Sequence, residues 1–162
     1  MILIDRESRL WKYLADEIKG LITDGEILLS DVDHYKATIS DFSYLVFPFS
    51  KAYEGFLKKL FLDLEMIRED EYYSGDIRIG RILNPRFTHE KNSVYKKLLV
   101  HSEGGEVLVE ELWNVWRKGR NRVFHYFPHN FRKLSYAEAL EIIKEELSVM
   151  EAVVSLIGVK VF

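Results

Sequence analysis

The chain has 162 residues, 48% hydrophobic and 30% charged, with a formal net charge of -3. That length suits one domain around one core, and that balance separates it from disordered chains. No residue is cysteine, which removes disulfides, thiolate nucleophiles and thiolate zinc sites; the negative net charge gives no overall attraction to a polyanion, so nucleic-acid binding needs a local patch.

The opening stretch, MILIDRESRLWKYL, carries a charge at Asp5 and no uninterrupted apolar run. Neither a signal peptide nor a membrane span is expected, and the protein is read as cytoplasmic. A first helix is expected from about Asp5 to Leu21, where Leu10, Trp11, Leu14, Ile18 and Leu21 recur at helical spacing. Thr23 to Glu26 then offers a break or bend, after which Ser30 can cap another short helix. The strongest helical pattern lies between Asp41 and Ile67, with Phe42, Leu45, Phe49, Ala52, Phe56, Leu60 and Leu64 along one stripe. Pro48 either kinks that helix or marks a junction of two, because proline removes a donor and clashes with the preceding turn.

Arg68 to His89 reads as irregular connection with a short extended piece at Ile77 to Ile82. Helical pattern resumes at Ser93 to His101, stops at Gly104 and Gly105, and restarts from Glu106 to Phe127. Ser135 and Glu138 have capping-box spacing and open a last helix through Leu140, Ile143, Leu147, Met150, Val154 and Ile157. Long helices, short connections and little strand signal predict an all-α bundle forming a single domain over residues 1–162.

Charge is segregated within this pattern. From Leu112 to Ala137 there are six Lys or Arg and no Asp or Glu, which leaves the rest of the chain at -9. Such a stretch is what a phosphate-facing surface on an acidic scaffold would carry. Inside it, Arg120 is followed by Asn121 and, five positions on, by His125. A guanidinium donates in pairs to phosphate oxygens and an imidazole takes or gives a proton, the two contributions needed when RNA is cleaved by its own 2′-hydroxyl.

On a regular helix, residues five apart differ in direction by about 140°. Either the arginine reaches round, or the helix begins irregularly near Gly119, or a dimer completes the site; Arg122 and His125, three apart, are the better-aligned rival pair. Glu54 lies opposite the apolar stripe, where it pairs with Lys58 one turn on. Phe47 and Phe61 share its face, so a second reading has that face covered and the acid orienting a base or arginine. His34, His89, His101 and His129 show no metal-ligand spacing, leaving His129 as a residue that touches substrate from the loop after the helix. Trp113 and Trp116 read as core or interface anchors.

The stretch RNRVFH, Arg120 to His125, resembles the signature of HEPN-domain ribonucleases, an arginine, a polar residue and a histidine after four to six intervening positions. KAYEGFLKKL, with Glu54, is similar more narrowly to the catalytic domain of the ribonuclease LS toxins (the RnlA/LsoA family) of bacterial toxin-antitoxin systems. The resemblance spans nearly the whole chain. It implies a four- to five-helix HEPN-like bundle that dimerises with both motifs facing a shared cleft, and endoribonuclease activity on RNA that needs no metal or cofactor and leaves a cyclic phosphate. Carried over, Arg120 stabilises the phosphate, His125 acts as acid or base, Glu54 supports the pair, and Asn121, Arg117, Lys118, Arg122 and His129 contact substrate. A toxin or antiphage-defence role restrained by an antitoxin protein is implied, with no membrane partner. The extra amino-terminal domains of the larger toxins are not in this sequence, and Phe127 stands where nucleotide-modified HEPN proteins often have tyrosine.

Overall fold

A computed structural model describes residues 1–34, 36, 38–101 and 105–157, apart from the side chains of Asp33, His101, Asn121, Arg122 and Ile157. The chain is all-helical: eight α-helices and no strand occur among the described residues. Four of the helices are long, and they build the bundle: α2 (Asp16–Asp31), α3 (Ser43–Asp63), α7 (Gly105–Val123) and α8 (Tyr136–Ile157). Short helices α1 (Arg9–Tyr13), α4 (Glu69–Tyr73), α5 (Ile79–Ile82) and α6 (Val94–His101) fill the connections.

The expected first helix is two. Ser8 caps α1 by accepting from the Trp11 amide at 3.1 Å, and extended backbone at Leu14 and Ala15 ends it before α2 starts on Asp16 and Glu17. Helix α2 then runs straight through Thr23 to Glu26, where a break was expected. Gly25 is a packing residue there: a Cβ would sit 2.4 Å from the Phe49 ring of α3, so its absence lets the two helices approach. Ser30 caps nothing, and its hydroxyl donates back to the Glu26 carbonyl at 2.9 Å.

Helix α3 is the axis of the bundle, contacting α2, α7 and α8. It continues unbroken through Pro48, although the proline lies past the first turn and removes the amide bond to the Tyr44 carbonyl. Phe49, Tyr53, Phe56, Leu57, Leu60 and Phe61 are fully buried, as expected of a helix apolar on more than one side and enclosed by neighbours. The expected extended piece at Ile77 to Ile82 is mostly helical turn; Ile79 and Ile82 dock α5 into the core, and Gly80 leaves room for Trp116, whose ring would meet a Cβ at 2.4 Å.

Gly105 begins α7 against α6, where a Cβ would strike the Leu98 carbonyl at 2.4 Å; Gly104 lies outside the described residues. The capping box of α8 forms as its spacing predicts, the Ser135 amide donating to Glu138 Oε2 at 2.9 Å and the Glu138 amide to Ser135 Oγ at 3.3 Å. No helix among the described residues is long and apolar enough to cross a membrane.

Candidate functional site

Helix α7 buries Leu108, Val109, Leu112, Val115 and Trp116 against α3 and α8, and Gly119 continues that buried stripe. Gly119 therefore lies within the helix and marks no irregular start. Arg120, the next residue, stands at the edge of the stripe facing α3. Its Nη1 donates to Glu54 Oε2 at 3.0 Å, and Lys58 approaches the other Glu54 oxygen at 3.9 Å. The acid is 30% exposed, pairs along its own helix and also bonds an arginine from a neighbouring one; with Phe47 exposed beside it, its face is not covered at this end.

Trp116 and Phe124 flank the guanidinium, which lies 5.8 and 5.4 Å from their ring centres. Phe47 meets Phe124 with ring centres 5.2 Å apart. Of the two phenylalanines sharing the Glu54 face, Phe61 is fully buried and Phe47 is exposed, so that face is covered at one end only. Trp113 and Trp116 stack with centres 5.5 Å apart, and Trp116 anchors the core as its spacing suggests.

Arg120 and Glu54 form part of the wall of an open cavity of about 750 Å³, lined by residues of α2, α3, α4 and α7 with one contribution from α8. Phe47, Tyr72, Tyr73, Trp116 and Phe124 supply aromatic surface, and Lys51 and Lys58 supply positive charge. Its most unusual member is Glu146 of α8, only 1% exposed. Ser50 Oγ donates to Glu146 Oε1 at 2.6 Å, while Oε2 is buried without a hydrogen-bond partner. Burial pushes this carboxyl up to about 8; the Ser50 hydrogen bond opposes the rise and the neighbouring Glu145 charge adds to it.

Gly119 is explained by the same group, since a Cβ there would lie 2.2 Å from Glu146 Oε1 and 2.9 Å from Ser50 Oγ. Beside them Tyr53, whose hydroxyl burial pushes well up, donates to the Leu112 carbonyl at 3.1 Å. Sequence reasoning passed over Glu146. The signal was present: it falls on the buried stripe of Ala139, Ile142, Ile143, Val149, Met150 and Val153, where a carboxylate is out of place.

His125 is elsewhere. Helix α7 ends at Val123, and the Phe124 amide makes a last helical bond to the Arg120 carbonyl at 3.0 Å. His125 is therefore an exposed loop residue, so the angular argument for an ideal helix does not govern its pairing with Arg120 or with Arg122. It lines a separate cavity of about 230 Å³ with Asp41, Ser43, Tyr126, Asn130 and Arg132. Phe124 belongs to both cavities and stands between them.

The loop is built on Asp41. Its Oδ1 accepts from the Ser43 amide at 2.9 Å and the Leu134 amide at 3.1 Å, and its Oδ2 accepts from Asn130 Nδ2 at 2.8 Å. Desolvation would raise this carboxyl, but the hydrogen bonds from Ser43, Asn130 and Leu134 outweigh it and hold the group at about 2. His129 and Asn130 have positive φ, 59° and 48°, the left-handed turn that this tether closes. His129 is exposed and lines neither cavity.

The basic segment is less free than its sequence suggests. Lys118 is held by Glu145 of α8 at 2.6 and 2.8 Å, with Glu141 at 3.9 Å. Arg132 lies over the Phe127 ring at 4.0 Å and the Phe131 ring at 5.6 Å. Arg117 is exposed and has no ion pair among the described residues. The side chains of Asn121 and Arg122 lie outside those described, as does that of His101. No group of three potential metal ligands comes together among the described residues. Set against models of protein families, sequences of curated proteins and solved structures, the chain matches none of them.

Proposed function

We propose that the protein is a HEPN-type endoribonuclease that cleaves RNA by 2′-hydroxyl attack, with no metal or cofactor, at a cleft completed by a second copy of the chain. The observation that carries the reading is the Arg120–Glu54 ion pair, 3.0 Å long and joining two helices, flanked by aromatic rings in the wall of a large cavity. A guanidinium has five N–H donors, so one bond to Glu54 leaves others for a phosphate. Half-exposed and bonded to Glu54, Arg120 can stabilise the charge that builds on phosphorus in the transition state.

His125 supplies the proton transfers. One imidazole takes the proton of the attacking 2′-hydroxyl as the 2′-oxygen bonds to phosphorus; the P–O5′ bond breaks, and the leaving oxygen takes a proton from the second imidazole, giving a cyclic phosphate and a 5′-hydroxyl. Because Arg120 and His125 open on neighbouring cavities within one chain, the reading needs a homodimer that brings one copy's histidine toward the other copy's arginine. Arg117, Arg122 and His129 contact the strand outside the cleft, and Asn121 orients it. A cytoplasmic toxin or antiphage-defence effector, silenced by an antitoxin protein, is the setting this activity fits.

Purified protein is expected to cleave RNA in EDTA. His125→Ala and Arg120→Ala should each lose at least a hundredfold in rate, the usual scale for removing a general acid-base or charge-stabilising group, while keeping the parent's helical content. Cleavage unchanged in both variants would overturn the assignment.

The two-cavity arrangement favours a second reading, a noncatalytic HEPN-like module that binds RNA or protein through the same face. It predicts salt-sensitive RNA binding with no turnover. A cyclic-phosphate product rules it out.

A further inference from the structure

We infer that the small cavity beside His125 is a phosphate-binding subsite, in which Arg132 grips a phosphate of the RNA strand that neighbours the one being cut. This rests on the reading of RNA as substrate and adds a binding residue that the reading leaves without a role. Arg132 stands seven positions after His125, and an extended chain would carry it roughly 23 Å away. The loop instead doubles back. The Asn130 amide donates to the Phe127 carbonyl at 2.8 Å and the Lys133 amide to the Asn130 carbonyl at 3.0 Å, around the left-handed backbone of His129 and Asn130. Beyond the turn Leu134 is buried; its carbonyl accepts from the Phe42 amide at 3.0 Å and its amide donates to Asp41. The return path is thereby fixed, and it brings Arg132 and His125 into one wall with Ser43 and Asn130.

The guanidinium is placed without being neutralised. Phe127 and Phe131 meet with ring centres 5.4 Å apart, and Arg132 lies over both. Rings hold a guanidinium by its face and leave its in-plane N–H donors to other partners. Arg132 is exposed and has no ion pair among the described residues, whereas Arg120 is bonded to Glu54 and Lys118 to Glu145. An unpaired guanidinium with a pre-set plane donates in pairs to phosphate oxygens.

The cavity suits that ligand in size and charge. At about 230 Å³ it falls below the ~300–1,000 Å³ of sites that enclose whole small molecules, so it takes a phosphate group and leaves sugar and base outside. Asp41 is the one acid in its wall among the described residues. The Asp41 charge is already taken up by the Ser43 amide and hydroxyl, Asn130 Nδ2 and the Leu134 amide, and it opposes an arriving anion less than a free carboxylate would. His125 and Arg132 of one copy then hold the strand on the side from which Arg120 of the other copy reaches the reacting phosphate.

The test is fluorescence anisotropy of the full chain with a short single-stranded RNA carrying 2′-O-methyl groups, which has no attacking hydroxyl and so reports binding alone. Arg132→Gln, which keeps a flat polar end against the two rings, should weaken binding about tenfold, the scale of one charge-assisted contact. It should also lower the slope of log affinity against log salt by about 0.7, one phosphate contact on a single strand. Arg132→Lys should restore that slope and regain only part of the affinity, because an ammonium lacks the fork. Lys133→Ala removes an exposed cation next door that is not in the cavity wall, and should leave binding nearly unchanged. Circular dichroism should show the parent's helical content in all three variants.

Inorganic phosphate, followed through the His125 ring signals by NMR, separates two sources of the ligand. Strand binding that Arg132→Gln weakens identifies RNA; no strand binding, with a phosphate-induced shift that Arg132→Gln abolishes, identifies a free phosphate, and the subsite stands in both cases. It is overturned if Arg132→Gln alters neither response, or if Lys133→Ala lowers them as much. Arg132-dependent strand binding with no cleavage of unmodified RNA in EDTA would sink the ribonuclease reading and spare the subsite. His125-dependent cleavage with strand binding untouched by Arg132→Gln would do the reverse.

Discussion

Replacing Glu146 with glutamine is expected to stabilise the protein relative to the parent by an amount that grows with pH. The folded carboxyl titrates at about 8 and the unfolded one near the ordinary 4.5. Below the lower value both states are protonated and the group contributes no pH dependence. Between the two values the folded chain keeps a proton that the unfolded chain has released, so stability falls as pH rises, by about 1.4 kcal/mol per unit. Above about 8 both states are ionised and the loss stops growing. At pH 7 the accumulated loss is about 3 kcal/mol, a large fraction of the ~5–15 kcal/mol that holds a typical domain folded.

Glutamine keeps an oxygen for the Ser50 hydroxyl and does not titrate. Its unpaired amide adds an offset that is the same at every pH. Urea unfolding of parent and variant at pH 4.5, 6, 7 and 8 reads the difference directly. It should widen by about 3 kcal/mol between the first and third points. A difference that stays flat across that window would show that the carboxyl ionises normally in the folded protein.

Gly119→Ala should cost about 1–3 kcal/mol by overpacking, because the added methyl meets Glu146 Oε1 and Ser50 Oγ; thermal melts of the double variant with Glu146→Ala, which empties that space, should show a smaller loss than the two single changes together. Gly25→Ala is expected to cost a similar ~1–3 kcal/mol by pushing α2 off the Phe49 ring, measured in the same way. Asp41 has its folded value depressed to about 2, so its contribution is complete above the ordinary carboxylate range and disappears as pH falls through 2; partial exposure reduces it to about 1 kcal/mol, seen as an acid-limb difference between parent and Asp41→Asn. Glu54→Gln should change stability by less than about 1 kcal/mol, as for exposed ion pairs, yet lower cleavage about tenfold by loosening Arg120, which separates its positioning role from a structural one.

How legible the molecule was depends on which force sets each part. The bundle could be read because apolar periodicity forms it: the α3 stripe and the Ser135–Glu138 box both appear where their spacing puts them. The break expected at Thr23 to Glu26 does not occur, because Gly25 serves contact with Phe49 and not a turn, a distinction that only the facing helix reveals. Likewise the α1–α2 division has no glycine or proline to announce it. At the site, the Arg120–Glu54 pair was foreseeable from residue chemistry, whereas the placement of His125 beyond the helix end depends on Asp41, distant in sequence. The partners of Lys118 were hidden for the same reason: charge counted along the chain cannot see Glu141 and Glu145 brought across from α8.

The two carboxylates that hold α7 and the loop beyond it both belong to α3 or its approach, Asp41 just before it begins and Glu54 midway along. Helix α3 thus works as a gauge bar, metering the interval between guanidinium and imidazole although it contributes neither. From Ser43 to Glu54 the bar is roughly 16 Å long at the α-helical rise, and adding or removing one turn would slide its two fastening points by roughly 5 Å. Two chains with an identical RNRVFH stretch can therefore differ in the spacing of their reactive groups through a length change in a helix that never meets the phosphate.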